Sequence, residues 1–365
     1  MTLVGRHGDD PSVVSLSRSL TFVAAVAAVV VTSTSAAVDG SSAPGITGTC
    51  SWSAIRVPVG TSASLSDVAV VAPDDVWMIG TRGSAAGARP VVLHYDGNRL
   101  RVVSVPLPPR RTNTLYDIGA SAADDVWLSG RTDSPPSLRP LLLHWDGHRW
   151  RRLLAALNPK APDASVFAVA AVGPSDAWLV GMQTPRPLAW REMIQHWNGQ
   201  RWRIVPSPAT FVAVTAIASD DVWAGGGGIG HWDGRAWRIA FTPNDFDPGA
   251  ARVNAISASD PRNVWFGGEK PLVARFDGKE IREVPIPRAL WPRRDSGFDP
   301  PALRTIAAFS PRDVWTAGAF GILHYDGSWH RASPITTVAA IDGLAADDLW
   351  AVGGSTRPVA LHRRC

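Results

Sequence analysis

Two stretches decide the fold: Asp125-Val126-Trp127-Leu128-Ser129-Gly130 and, further along, His144-Trp145-Asp146-Gly147-His148-Arg149-Trp150. An Asp-Gly pair between apolar runs is a strong hairpin signal, because such turns need a residue at positive φ. The acid that opens the first stretch is suited to accept backbone N–H bonds in the turn leading to it.

The first stretch recurs seven times, centred on Trp77, Trp127, Trp178, Trp223, Trp265, Trp315 and Trp350, each with a Gly three residues on. Relatives of the second start at His94, His196, His231, Arg275 and His324. Successive tryptophans stand 50, 51, 45, 42, 50 and 35 residues apart. Each unit reads as four strands. Strand a precedes the Asp turn (Val166–Val172), b carries the Trp, c ends at His-Trp-Asp-Gly, and d holds a second Trp before a Pro-rich exit (Trp202–Pro206). Periods of about 40–50 residues with several strands per unit indicate propeller blades. The expectation is an all-β, seven-bladed β-propeller of four-stranded antiparallel blades over residues 50–365. Fifteen of the 17 Trp lie on repeat positions, which makes them packing residues; only Trp190 and Trp291 do not.

The ends complete one another. The seventh unit stops at His362-Arg363-Arg364-Cys365, where the others continue into strand d, while Cys50-Ser51-Trp52 begins like a detached strand d. Overlaid on the second unit, Cys365 falls on Gly147, Cys50 on His148 and Trp52 on Trp150. The N-terminal strand is therefore expected to complete the last blade, with a Cys50–Cys365 disulfide replacing the missing turn. Ahead of it, Arg6 and Arg18 precede an apolar run, Leu20–Val31, and Ser35-Ala36-Ala37 fits a cleavage site. Residues 1–37 read as an export signal and 38–49 as a flexible linker. A run of that length is short of the about 20 residues a membrane span needs, and none follows after cleavage. An exported chain is also where a disulfide persists.

The units resemble the repeats of secreted bacterial propellers in the broad kelch and BNR (Asp-box) group, and those of propellers similar to photosystem II stability and assembly factors. Gly321-Ile322-Leu323-His324-Tyr325-Asp326-Gly327-Ser328-Trp329 carries the resemblance most clearly, although an Asp-box proper has Ser-x-Asp-x-Gly-x-Thr-Trp. The resemblance implies the fold and is nearly silent on activity.

Candidate chemistry is sparse. Six His (His94, His144, His196, His231, His324, His362) occupy one repeat position on strand c, spread around a ring and so unable to share a metal ion; each is expected to bond the neighbouring turn. Gly225–Gly228 with Gly230 lacks the Lys-Ser/Thr of a phosphate loop and reads as a tight b–c hairpin. Asn244–Gly249 lacks the glutamate of a calcium loop. No catalytic constellation, metal site or cofactor is expected. A glycan-acting hydrolase or lyase would need a carboxylate pair from Asp133, Asp163, Asp245, Asp247, Asp295 and Asp299.

The loops divide by length. Connections a–b and c–d are short and share one face of the disc. Connections b–c and d–a vary and share the other: Thr81–Pro90, Pro108–Thr114, Arg131–Pro140, Met182–Arg191, Phe241–Arg252 and Ile286–Leu303. Binding usually resides in variable loops on a rigid scaffold. Basic side chains outnumber acidic ones in these loops by about two to one, against 36 to 32 in the whole chain, and nearly all are Arg. The candidate ligand-binding residues are Arg110, Arg111, Arg186, Trp190, Arg191, Trp291, Arg293 and Arg294. Arg beside Trp suits stacking and bidentate pairing with carboxylate or phosphate. The expectation is a secreted, non-enzymatic, monomeric binding or scaffold propeller whose partner is an anionic polysaccharide or an acidic envelope protein, not nucleic acid; the alternative is the glycan-acting enzyme.

Overall fold

The computed structural model describes residues 50–365 apart from 84–86, 135–136, 159–162, 185–190, 243–251, 271, 293–301 and 356. The expected export signal and linker lie outside the described residues. Seven four-stranded antiparallel sheets form the ring. Blade one runs through a (Ala63–Ala72), b (Asp75–Arg82), c (Arg89–Tyr95) and d (Leu100–Val103). In each blade strand a lies innermost, packed against the a strands of the blades beside it.

The last blade closes as the two chain ends predict. Ser51–Ala54 pairs antiparallel with Val359–Arg364 in the register Ser51 to Arg364 and Ala54 to Leu361. Its sheet order is Ser51–Ala54, Val359–Arg364, Asp348–Gly353 and Val338–Ala345. The Ile55 N–H extends the pairing to the Ala360 carbonyl at 2.8 Å. Cys50 and Cys365 are disulfide-bonded with Cα atoms 4.0 Å apart, joining positions 315 residues apart in sequence.

The repeated residues have separable jobs. Every a strand breaks register once near its start, as between Leu115 and Asp117, where an extra residue bulges the strand. The Gly three residues after each b-strand Trp sits opposite that bulge. A Cβ on Gly130 would come 2.0 Å from the Thr114 carbonyl oxygen, so no side chain fits. The c–d turn needs glycine for a second reason: Gly147 has φ 80°, and its Cβ would meet that of Asp124 at 2.8 Å.

The acid before each Val-Trp does not bond the turn backbone as expected. Its carboxylate faces the strand-c His instead, at 2.6 to 2.8 Å in six blades. The imidazole stacks on the b-strand Trp with centroids 4.0 to 4.6 Å apart. In several blades the indole N–H donates to the same oxygen, as Trp127 does to Asp125 at 2.8 Å. The planar ring next to an aromatic face orders the His, and the acid fixes its rotation. In blade five both partners differ together: Arg275 donates to Asn263 at 2.8 Å and lies over Trp265.

Blades meet through tryptophan. The b-strand Trp of one blade contacts the d-strand Trp of the next edge to face, with centroids 5.3 to 6.4 Å apart in five seams. Trp52 against Trp315 is one of these seams, so the borrowed strand delivers the same side chain to the same place as Trp150 does against Trp77. At the c-strand position that is aromatic elsewhere, the last blade has Arg363. Its guanidinium lies 4.8 Å from the Trp315 ring centroid, a cation–π contact in place of a ring pair.

Candidate functional site

Three buried carboxylates stand at the hub, where inner strands expose N–H groups that no further strand can pair. Asp67 accepts the Val68 and Ile118 N–H groups at 2.9 Å each, Asp117 accepts that of Val169 at 2.8 Å, and Asp342 accepts that of Val70 at 2.7 Å. Ser257 and Thr305 do the same for Ala308 and Ile341. These bonds tie blade seven to one, one to two, two to three, five to six and six to seven. Burial pushes the Asp342 carboxyl from its ordinary 3.8 up to about 8. Burial, with the Asp117 charge behind it, also holds Asp67 well above the ordinary range. The hub acids hold backbone, and among the described residues no group of His, Cys, Asp or Glu is arranged to hold a metal ion.

The two faces differ in chemistry. The a–b turns carry Asp74, Asp124, Asp220 and Asp347, and the c–d turns carry Asp96, Asp146, Asp233, Asp277 and Asp326. Each c–d acid caps its own turn; Asp146 accepts the His148 and Arg149 N–H groups at 3.1 and 2.9 Å. Those bonds, and then the Arg151 guanidinium 2.8 Å away, hold Asp146 below the usual carboxylate range. Asp96 pairs with Arg101 and Asp233 with Arg238 in the same way.

The variable-loop face is the opposite. Among the described residues of the variable segments, Arg131 is in an ion pair, 3.1 Å from Asp133, whereas Arg82, Arg89, Arg110, Arg111, Arg139 and Arg191 are in none. The loop bearing Arg110 and Arg111 is held from below: the Asn113 amide donates to the Pro108 and Arg111 carbonyls, and its oxygen accepts from Thr132 at 2.8 Å. Arg110 adopts φ 56°, a left-handed conformation that costs a residue with a Cβ about 1 kcal/mol or more. Two aromatic rings sit at the bulges of neighbouring blades, Tyr116 and Phe167, with centroids 6.2 Å apart. Burial pushes the Tyr116 hydroxyl up to about 12.

Four of the eight expected binding residues are described, and they stand at three separate places around the ring. Arg110 and Arg111 stand at the entry to blade two, both exposed. Arg191 opens strand c of blade three opposite Gln183. Trp291 follows a short 3-10 turn, Arg288–Leu290, between blades five and six. It is half-buried on the cluster that includes Ile286 and Phe320; its indole donates to the Ile286 carbonyl at 3.0 Å and Arg288 covers the ring. Arg186, Trp190, Arg293 and Arg294 lie outside the described residues. Of the acids considered for a catalytic pair, Asp133 faces Arg131 and Asp163 accepts the Leu138 N–H at 2.8 Å; Asp245, Asp247, Asp295 and Asp299 lie outside the described residues. The segment Arg131–Pro140, expected as a loop, is mostly paired hairpin, with strands Asp125–Ser134 and Ser137–Trp145.

Sequence reasoning passed over a hollow of about 430 Å3 at the rim of blade one, lined by Gly60, Thr61, Ser62, Arg82, Gly87 and Arg89 among others. Only the strand register reveals it, because that register sets Arg82 directly opposite Arg89.

These features define a closed seven-bladed β-propeller with chemically distinct faces. No family model and no curated protein matches the chain. Solved structures do. The chain is similar to YCF48 from Cyanidioschyzon merolae, with 17% identity and a TM-score of 0.58 over 86% of this chain and 98% of that one. It is similar to YCF48 bound to D1 peptide, with 15% identity and a TM-score of 0.57 over 86% and 95%. It is also similar to the WD40 repeats of RRP9, with 12% identity and a TM-score of 0.62 over 85% and 96%. At these identities the likeness establishes the fold.

Proposed function

We propose that the chain is an exported, non-enzymatic binding propeller that takes an acidic polypeptide segment on its variable-loop face. The observation that carries the reading is the contrast between faces. The short-turn face is rich in acids that cap turns and pair with Arg101, Arg151 and Arg238, while on the other face Arg82, Arg89, Arg110, Arg111, Arg139 and Arg191, unlike Arg131, have no ion pair among the described residues. Unpaired guanidiniums on a rigid scaffold favour carboxylate partners and speed their encounter. A polypeptide partner is supported further by a structural neighbour that is bound to a peptide. Export is supported by the apolar run Leu20–Val31 and by the disulfide, a bond that persists in oxidising compartments. Among the described residues, no helix is long and apolar enough to cross a membrane.

The test is fluorescence anisotropy with a capped oligoglutamate peptide, using the oxidised chain and an oligoglutamine peptide as control. The reading expects binding of the first alone, weakening as salt is raised. Equal binding of both peptides, or of neither, removes it.

A further inference from the structure

The variable-loop segments of blades seven and one have an unusual charge. Residues 55–63, 81–90, 332–338 and 353–359 contain Arg56, Arg82, Arg89 and Arg357 and no Asp or Glu. Within this sector Arg82 and Arg89 form a cross-strand pair at the end of the b–c hairpin of blade one. Directly opposed residues of an antiparallel pair project from the same side of the sheet, a few ångströms apart, and like charges there repel. The next pair down on that side, Gly80 with Val91, packs on the interior beside Leu65, so the arginines crown a fixed wall. Both are exposed, and neither has an ion pair among the described residues.

Across from them runs the connector from the closing strand, Gly60-Thr61-Ser62, exposed along its length. It is pinned to the hairpin by the Gly83 N–H, which donates to the Ser62 carbonyl at 2.7 Å. Between them lies an open, shallow hollow of about 430 Å3. Its lining residues include Arg82 and Arg89 together with Thr61 and Ser62. An anion in this hollow relieves the Arg–Arg repulsion while accepting from both. Among the described residues, no other cross-strand pair on the variable face sets two arginines opposite each other; the Arg131 hairpin has its own aspartate.

We propose that this hollow is the primary carboxylate-binding subsite of the propeller, in which Arg82 and Arg89 jointly clamp a Glu or Asp side chain of an acidic peptide and Thr61 and Ser62 donate to its free oxygens. The subsite rests on the peptide-binding reading given above and places it on blade one, on the connector that the disulfide-closed strand feeds.

The experiment titrates the capped oligoglutamate probe against the wild-type chain, Arg82→Gln with Arg89→Gln, and Arg110→Gln with Arg111→Gln. The subsite predicts roughly tenfold or greater weakening in the first variant, from the loss of charge-assisted bonds, with unchanged circular dichroism and melting temperature. An Arg82→Glu, Arg89→Glu variant is expected to lose oligoglutamate and to gain a capped oligolysine probe, an exchange that no folding defect produces. If Arg82→Gln with Arg89→Gln binds as wild type while Arg110→Gln with Arg111→Gln does not, the subsite is wrong and the face reading stands. If neither variant weakens binding, both fail. Retention of an oligouronate in place of the peptide also overturns the proposal, because it assigns the hollow to a glycan.

Discussion

Replacing Asp342 by Asn is expected to stabilise the propeller, and by an amount that grows with pH. Asp342 is fully buried at the hub, where its carboxyl accepts the Val70 N–H at 2.7 Å and also faces the Gly343 N–H. Asn keeps the acceptor and cannot ionise, so it imitates the protonated acid. The folded carboxyl has its pKa raised from 3.8 to about 8, so the folded state holds a proton that the unfolded chain releases. The group's contribution is therefore complete below about pH 4 and is lost progressively as pH rises to about 8. Each pH unit in that window costs wild type about 1.4 kcal/mol relative to the variant, or up to about 4 kcal/mol at neutral pH. Urea unfolding followed by tryptophan fluorescence across the window gives the difference directly. A gap that stays constant with pH, or a variant that loses ground toward pH 8, would show that burial does not hold Asp342 protonated.

Other perturbations follow from the same geometry. Asp125→Ala removes the shared acceptor of His144, Trp127 and Ser121 in a site with no solvent access, and is expected to cost about 3 kcal/mol or more in urea unfolding; a loss under 1 kcal/mol would make the acid a bystander. Trp127→Ala opens the seam with Trp202 and should cost about 3–5 kcal/mol, whereas a surface change such as Arg152→Gln should stay within about 0.5 kcal/mol. Serine at Cys50 and Cys365 is expected to lower stability by up to about 6 kcal/mol in the chain-entropy account, read as a drop in urea midpoint, with no change in the oxidised protein when reductant is withheld. On acidification, the c–d turn carboxylates, of which Asp233 is brought down to about 2 by its turn N–H groups and Arg238, lose their contribution as pH falls from 3.8 towards 2; Asp233→Asn should flatten that acid limb of the stability profile.

The parts legible in the sequence were those that repeat. Val-Trp-x-x-Gly marks the bulge because only glycine fits against a carbonyl there, and Asp-Gly or Asn-Gly marks the c–d turn because φ is positive; both constraints are local, the first recurring in all seven blades and the second in six. Closure was legible for the same reason, since Cys50 and Cys365 map onto the two sides of a turn present elsewhere. The hub acids were not. Asp67 and Asp117 stand two residues before the position that faces the b-strand Trp, whereas Asp342 stands on it, so no periodic signal unites them. What they share is an unpaired inner-strand N–H of a neighbouring blade, a tertiary fact. The Arg82–Arg89 hollow was hidden because it depends on hairpin register and on a connector that begins at the other end of the fold. Trp291 was expected among the ligand-binding residues, and no sequence signal showed that the 3-10 turn after Ile286 folds it back so that its indole donates to the Ile286 carbonyl.

Ring closure by the borrowed strand is the claim on which the shared face, and so the proposed subsite, depends. Hydrogen exchange of the Ser51–Ala54 amides in the oxidised chain tests it most directly. Protection comparable to that of the other outermost strands, such as Trp202–Val205, is the predicted result, with loss of that protection on reduction. Exchange of Ser51–Ala54 at the rate of free peptide, while Val338–Arg364 stays protected, would contradict it.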